Sequence, residues 1–177
     1  GRAGAGDLKE HSMSDLQAIA DRVARKLIAR KQTIAIAESS AGGLISAALL
    51  AVPGASAYFL GGAVVYTMSA RKALVNVTEA DMADIRASTE PYALLLARRI
   101  RASHGADWGV SETGAAGPTG NRYGDASGHV CVGVAGPRDR DIQGDLGALL
   151  DQPRELRERP AQALHQADDC ERRVERI

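Results

Sequence analysis

The chain has 177 residues, the size of one domain able to bury a real core. Its 22 basic and 22 acidic residues give a formal net charge of zero, without the basic excess that marks a nucleic-acid binder. Aromatics make up only 3% of the residues, so the exposed rings of a single-strand stacking platform are lacking, and no apolar run approaches the ~20 residues that span a bilayer.

Residues 1–12 are glycine-rich and polar and read as a flexible leader, a tag remnant or a mis-assigned start, with Met13 as a native start. They lack the apolar stretch of a signal peptide. Ser14 caps an expected helix, and Asp15 suits its positive end. Leu16, Ile19, Ala20, Val23, Ala24, Leu27 and Ile28 then recur at helical spacing as far as Arg30 and Lys31. Residues 33–37 (TIAIA) are short, apolar and partly β-branched, as in a buried strand. The polar turn 38–43 (ESSAGG) follows at once and leads into a helix over 44–52.

Pro53, Gly54 and Ser56 punctuate the exit from that helix. Residues 58–66 form a second apolar segment ending in the strand-like AVVY, and 67–77 read as a turn and a short helix. A further helix is expected over 89–103, with Leu94, Leu95, Leu96, Ala97 and Ile100 on its apolar face. Residues 107–113 read as a strand, 114–128 as a glycine-rich loop, and 129–135 (HVCVGVA) as another strand. Beyond Pro137 the chain turns dense in Arg, Asp, Glu and Gln with thin apolar stripes. Residues 138–177 therefore read as a divergent charged tail or the product of a shifted reading frame. An incomplete sheet would leave an exposed edge strand. Strands alternating with helices, without repeat or linker, imply one layered α/β domain over 13–137.

Cys131 and Cys170 form neither a disulfide framework nor a metal spacing. The expectations are no metal, no cofactor, no membrane partner and a reducing cytoplasm.

The chemistry gathers at the turn after the first strand. Ser39 and Ser40 lie where a buried strand meets a helix, at the sheet edge where open α/β folds bind ligands. Gly42 and Gly43 let backbone approach a ligand without a Cβ in the way. Backbone N–H groups there can hold a phosphate or an acyl-transfer oxyanion, and equally a serine here can simply cap the helix. Glu38 has two readings, a ligand contact or a residue that fixes the turn through backbone hydrogen bonds. A serine nucleophile needs a base. No histidine has the local context of a triad, Lys72 is a candidate amine, and Arg71 is not a base because guanidinium keeps its proton. The loop 113–120 (TGAAGPTG) can cradle a phosphate or ribose, or be a long hairpin turn. Trp108 and Tyr123 read as packing or loop residues.

Four separated blocks, 37–43 (AESSAGG), 53–56 (PGAS), 59–66 (FLGGAVVY) and 114–120 (GAAGPTG), resemble in order and spacing the CinA C-terminal domain family. The resemblance covers about residues 13–137 and implies a three-layer α/β/α sandwich on a mixed sheet. It also implies hydrolysis of the carboxamide of nicotinamide mononucleotide to nicotinate mononucleotide and ammonia, without a metal or cofactor. Ser39 then falls on the family's nucleophile and Tyr66 on its tyrosine. Glu38, Ser40, Gly42, Gly43, Thr113, Gly114, Gly117 and Gly120 fall among the expected substrate contacts, with backbone N–H groups near Gly42 and Gly43 holding the oxyanion. Ser40 replaces the family's cysteine and Ala41 its threonine. Arg71 occupies the position of the family's general-base lysine, with Lys72 next to it. A slow enzyme, a variant with another base and a non-catalytic nucleotide binder are all compatible with that exchange. The family often carries a further N-terminal domain, and a homo-oligomer is expected because such assemblies are common.

Overall fold

The computed structural model describes residues 7–137 and 141–145, with side chains described over 15–137. Helix α1 (Asp7–Arg30) precedes β1 (Ile34–Glu38), α2 (Leu44–Leu50) and β2 (Phe59–Val64). Helices α3 (Met68–Val75) and α4 (Glu90–His104) follow, then β3 (Trp108–Ala115), β4 (His129–Ala135) and β5 (Asp141–Asp145). The expected helix start at Ser14 is late by seven positions, because the helical backbone already runs from Asp7.

The strands form one five-stranded sheet in the order β2-β1-β3-β4-β5. β1 runs parallel to both β2 and β3, whereas β4 and β5 join antiparallel, so the sheet is mixed as expected. The period-2 alternation of β1 explains the layers. Ile34 and Ile36 face α1 and α2, packing with Ala24, Leu27, Leu49 and Tyr58. Ala35 and Ala37 face α3 and α4, packing with Val75, Tyr92, Leu96 and Ile100. Both faces of the strand are therefore covered, and an all-apolar rather than alternating sequence is what such a strand requires. The result is the three-layer α/β/α sandwich.

The core is built from small residues, and this sets the spacing between layers. A Cβ added at Gly133 of β4 would lie 2.5 Å from the carbonyl of Ala93 in α4, and one at Gly109 of β3 would lie 2.1 Å from the Ala97 oxygen. Helix α4 thus rests directly on the backbone of the two strands. Thr89 caps it by accepting the Tyr92 N–H at 3.4 Å, and Gly105 ends it in the left-handed conformation (φ 61°).

The tail expectation needs one correction. Residues 141–145 pair with β4 from Ala135↔Asp141 to Cys131↔Asp145, and so continue the sheet. Their sequence, DIQGD, has one apolar residue, too few for periodicity to reveal a strand; the template is the neighbouring β4 backbone. The rest of the expected tail, 146–177, lies outside the described residues, as do 1–6 of the expected leader.

Candidate active site

Because β1, β2 and β3 are mutually parallel, their carboxyl ends meet at one edge. The register places Glu38 beside Val64 on one side and Glu112 on the other. The turn 39–43, Tyr66 and the glycine-rich loop after β3 therefore leave the sheet side by side, the location open α/β sheets use for ligands.

Two buried carboxylates hold the turn. Glu38, only 1% exposed, accepts the N–H groups of Gly43 and Ile45 on Oε2, both at 3.0 Å, and the Ser46 N–H and hydroxyl on Oε1 at 2.8 and 2.6 Å. It satisfies the first donors of α2, which no side chain at the cap position reaches. Of the two readings left by the sequence, these four bonds support the one in which Glu38 fixes the turn. Glu112, 4% exposed, accepts the Ser39 N–H at 3.1 Å and the Ala41 N–H at 2.8 Å on Oε2, and the Ser40 hydroxyl on Oε1. Sequence reasoning missed Glu112 and Ser46. A trace was visible, since SETG repeats the arrangement of a glutamate closing an apolar strand, but the partners lie 71–73 residues away.

These bonds correct one expectation. The N–H of Gly43 is taken by Glu38, and that of Gly42 reaches the Ser39 carbonyl at 3.3 Å. Neither is free for an oxyanion. Among the described residues, no protein acceptor meets the Ser40 N–H. Gly42 and Gly43 serve instead through their positive φ, 63° and 105°, which turns the chain into α2 at a conformation other residues avoid.

Ser39 is half-buried. Tyr66, just beyond β2, is 74% exposed. Thr67 caps α3 by accepting the Ala70 N–H at 3.1 Å, and α3 carries Arg71 and Lys72. The Arg71 guanidinium donates to the Tyr92 hydroxyl at 3.1 Å and lies 5.4 Å from that ring's centre. Burial pushes the Tyr92 phenol above its ordinary range, and the Arg71 contact partly offsets it. Lys72 is exposed. Both basic residues line a groove of about 540 Å³ with Met68, Ser69, Thr78 and Glu79. Ser39 is not among the residues that line it. The structure thus joins Glu38, Ser39, Ser40 and Gly43 with Glu112 and Ser46, and sets Arg71 and Lys72 in a separate groove.

The glycine-rich loop is ordered by its own polar residues. Thr113 is buried within β3, and Gly114, still paired with Val130 of β4, has its carbonyl accepting from Ser88 Oγ at 3.2 Å. Gly117 is exposed with φ 98°, and Gly120 packs on the Asp125 carbonyl. Asn121 Oδ1 accepts the N–H groups of Tyr123 and Asp125 at 3.0 and 3.1 Å. Arg86 clamps Asp125 through both carboxylate oxygens at 2.6 and 3.1 Å. That clamp, helped by Asn121, lowers the Asp125 pKa to about 2. The Arg86 and Arg122 guanidinium groups lie 5.0 and 4.9 Å from the centre of the Tyr123 ring, and Trp108 is a core residue donating to Gln32 at 3.1 Å. Among the described residues, no cluster of His, Cys, Asp and Glu is arranged to hold a metal ion, and no helix is long and apolar enough to cross a membrane.

Comparison with known proteins shows the family. Residues 16–163 match the model of the CinA C-terminal domain, which runs beyond the expected domain end at Pro137. A CinA-like protein of Gloeothece citriformis is 36% identical over 124 residues, 70% of this chain and 30% of that protein. One from Salinibacter ruber is 44% identical over 114 residues, 64% of this chain and 28% of that protein. The chain thus spans under a third of the length of these relatives. The competence damage-inducible protein A of Klebsiella pneumoniae superposes with a TM-score of 0.69 at 29% identity, covering 73% of this chain and 80% of that one. The competence/damage inducible protein of Agrobacterium tumefaciens gives 0.69 at 27% identity, covering 74% and 79%.

Proposed function

This chain belongs to the CinA C-terminal domain family, and from that premise we propose that it hydrolyses the carboxamide of nicotinamide mononucleotide to nicotinate mononucleotide and ammonia. The observation that carries the reading is the turn 39–41, held by a buried carboxylate at the carboxyl edge of the parallel strands, with Ser39 at the family's nucleophile position. Ser39 Oγ adds to the amide carbon and gives up its proton. The carbonyl oxygen becomes an oxyanion, for which the Ser40 N–H is the main-chain donor of the turn that meets no acceptor among the described residues. Collapse breaks the carbon–nitrogen bond, the nitrogen takes a proton and leaves as ammonia, and Ser39 holds the acyl group as an ester. Water then adds to the ester, releasing the acid and restoring the hydroxyl. The candidate amine for the serine proton is Lys72 of α3, whose side chain must leave the groove it lines with Arg71 to reach Ser39. Tyr66 and the exposed loop residues Gly117 and Gly120 border the nucleotide, and Thr113 and Gly114 of β3 support that loop from the sheet. The setting is cytoplasmic, and the enzyme acts as a homo-oligomer without nucleic-acid or membrane partners.

The test is ammonia release from nicotinamide mononucleotide by the purified chain with Ser39→Ala beside it. Turnover that disappears in the variant supports the reading; undiminished turnover removes Ser39 from the chemistry.

A second reading rests on Arg71. It occupies the family's lysine position and its guanidinium is bound to Tyr92, where it accepts no proton. On this reading the chain binds the nucleotide without converting it. The nucleotide then raises the melting temperature by mass action without ammonia release. Arg71→Lys raises activity if the rest of the machinery is intact, and no gain excludes residue 71 as the missing base.

A further inference from the structure

Glu112 stands outside every motif of the sequence, yet three consecutive residues of the nucleophile turn converge on it. Strand β3 sets it in register with Glu38. Its Oε2 takes the N–H of Ser39 at 3.1 Å and of Ala41 at 2.8 Å, and its Oε1 takes the Ser40 hydroxyl. The Ser39 N–H also reaches the Glu112 carbonyl at 3.1 Å. Hydrogen bonds to an ionised acceptor are about twice as strong as neutral ones, and here they restrain Ser39 and both residues after it. Two of the chain's departures from the family pattern, at residues 40 and 41, meet at this carboxylate. Where the family has cysteine, Ser40 supplies an O–H, a better donor than S–H. Where the family has threonine, Ala41 contributes only its backbone.

We propose that Glu112 is a positioning residue for Ser39, acting through the Ser40 hydroxyl and the flanking N–H groups to hold the nucleophile in its reactive orientation. The proposal rests on the amidohydrolase reading for its substrate but not for its geometry. Glu112 exchanges no proton with the substrate. Its effect is on the rate of attack, since a displacement of about 1 Å at a reacting atom can cost on the order of a hundredfold.

The experiment compares the full chain with Glu112→Gln, Ser40→Ala and the double variant in two assays. One is ammonia release from nicotinamide mononucleotide, read as kcat and KM. The other is covalent labelling by a fluorophosphonate, located by peptide mass, which needs no nucleotide. Glu112→Gln lowers kcat and the Ser39 labelling rate at least about tenfold with KM within about twofold, because attack rather than binding is impaired. Ser40→Ala lowers both by about threefold or more. The double variant stays within about twofold of Glu112→Gln, because the two changes delete one contact. Wild-type labelling and kcat in Glu112→Gln overturn the proposal, as does a double variant that falls by the product of the single losses. Should Glu112→Gln fail to fold, Ser40→Ala decides alone: undiminished labelling overturns, a threefold loss supports. A wild-type chain that labels at Ser39 but releases no ammonia sinks the substrate assignment, while the labelling ratios still judge Glu112. A wild-type chain that does not label at Ser39 overturns the proposal.

Discussion

Removing the Glu38 carboxylate tests the architecture of the turn in two grades. Glu38→Gln keeps the size and one carbonyl oxygen. Its best placement sets that oxygen toward the Gly43 and Ile45 N–H groups, now 3.0 Å from Oε2, and its NH2 toward Ser46. The Ser46 hydroxyl can turn to accept, but the Ser46 N–H loses its acceptor, at about 1–3 kcal/mol. The two surviving bonds lose their charge assistance, about another 1 kcal/mol together, so the total is about 2–4 kcal/mol. Glu38→Ala strands all four donors. Allowing for water entering the gap, its cost is about 4–6 kcal/mol, a large part of a domain's typical stability of about 5–15 kcal/mol. Urea unfolding with a common slope measures both, and the milder change lowers the melting temperature by roughly 10 °C. An alanine variant costing under about 1 kcal/mol, or a glutamine variant costing as much as alanine, would refute the assignment of Glu38 as the holder of this turn.

Other regions give independent tests. Gly133→Ala forces a Cβ to within 2.5 Å of the Ala93 carbonyl, and α4 must lift from β4; we expect a loss of about 2–3 kcal/mol by urea unfolding, and a neutral result would contradict the close packing. The Arg86–Asp125 clamp holds the Asp125 carboxyl at about 2 in the folded chain, against about 3.9 unfolded. A depressed carboxylate pKa contributes stability that is complete above about pH 4 and is lost as the pH falls through about 2. Asp125→Asn should therefore flatten the stability profile within that window, as read by unfolding at a series of pH values, and leave the slope above pH 5 unchanged.

What the sequence made legible was local. The apolar run IAIA, the glycine-bounded HVCVGVA and the leucine-rich helix ending at His104 each carry their own periodicity, so the order of elements and the layered fold followed from them. β5 was not legible because DIQGD has no pattern, and its strand character comes from pairing with β4. In the site, the turn and Ser39 stood out by position. Glu112 did not, because its role exists only after β3 lies beside β1, more than 70 residues away. Glu38 was visible but ambiguous between ligand contact and turn support until its four donors were seen. Arg71 was flagged by its mismatch with the family pattern, whereas its attachment to Tyr92 depends on the packing of α3 against α4.

The most direct test of the central claim is the identity and stoichiometry of products when the purified chain is incubated with nicotinamide mononucleotide. Amide hydrolysis predicts equal amounts of ammonia and nicotinate mononucleotide, with neither formed by Ser39→Ala. Release of free nicotinamide, or recovery of unchanged nucleotide from the wild-type chain, would contradict it.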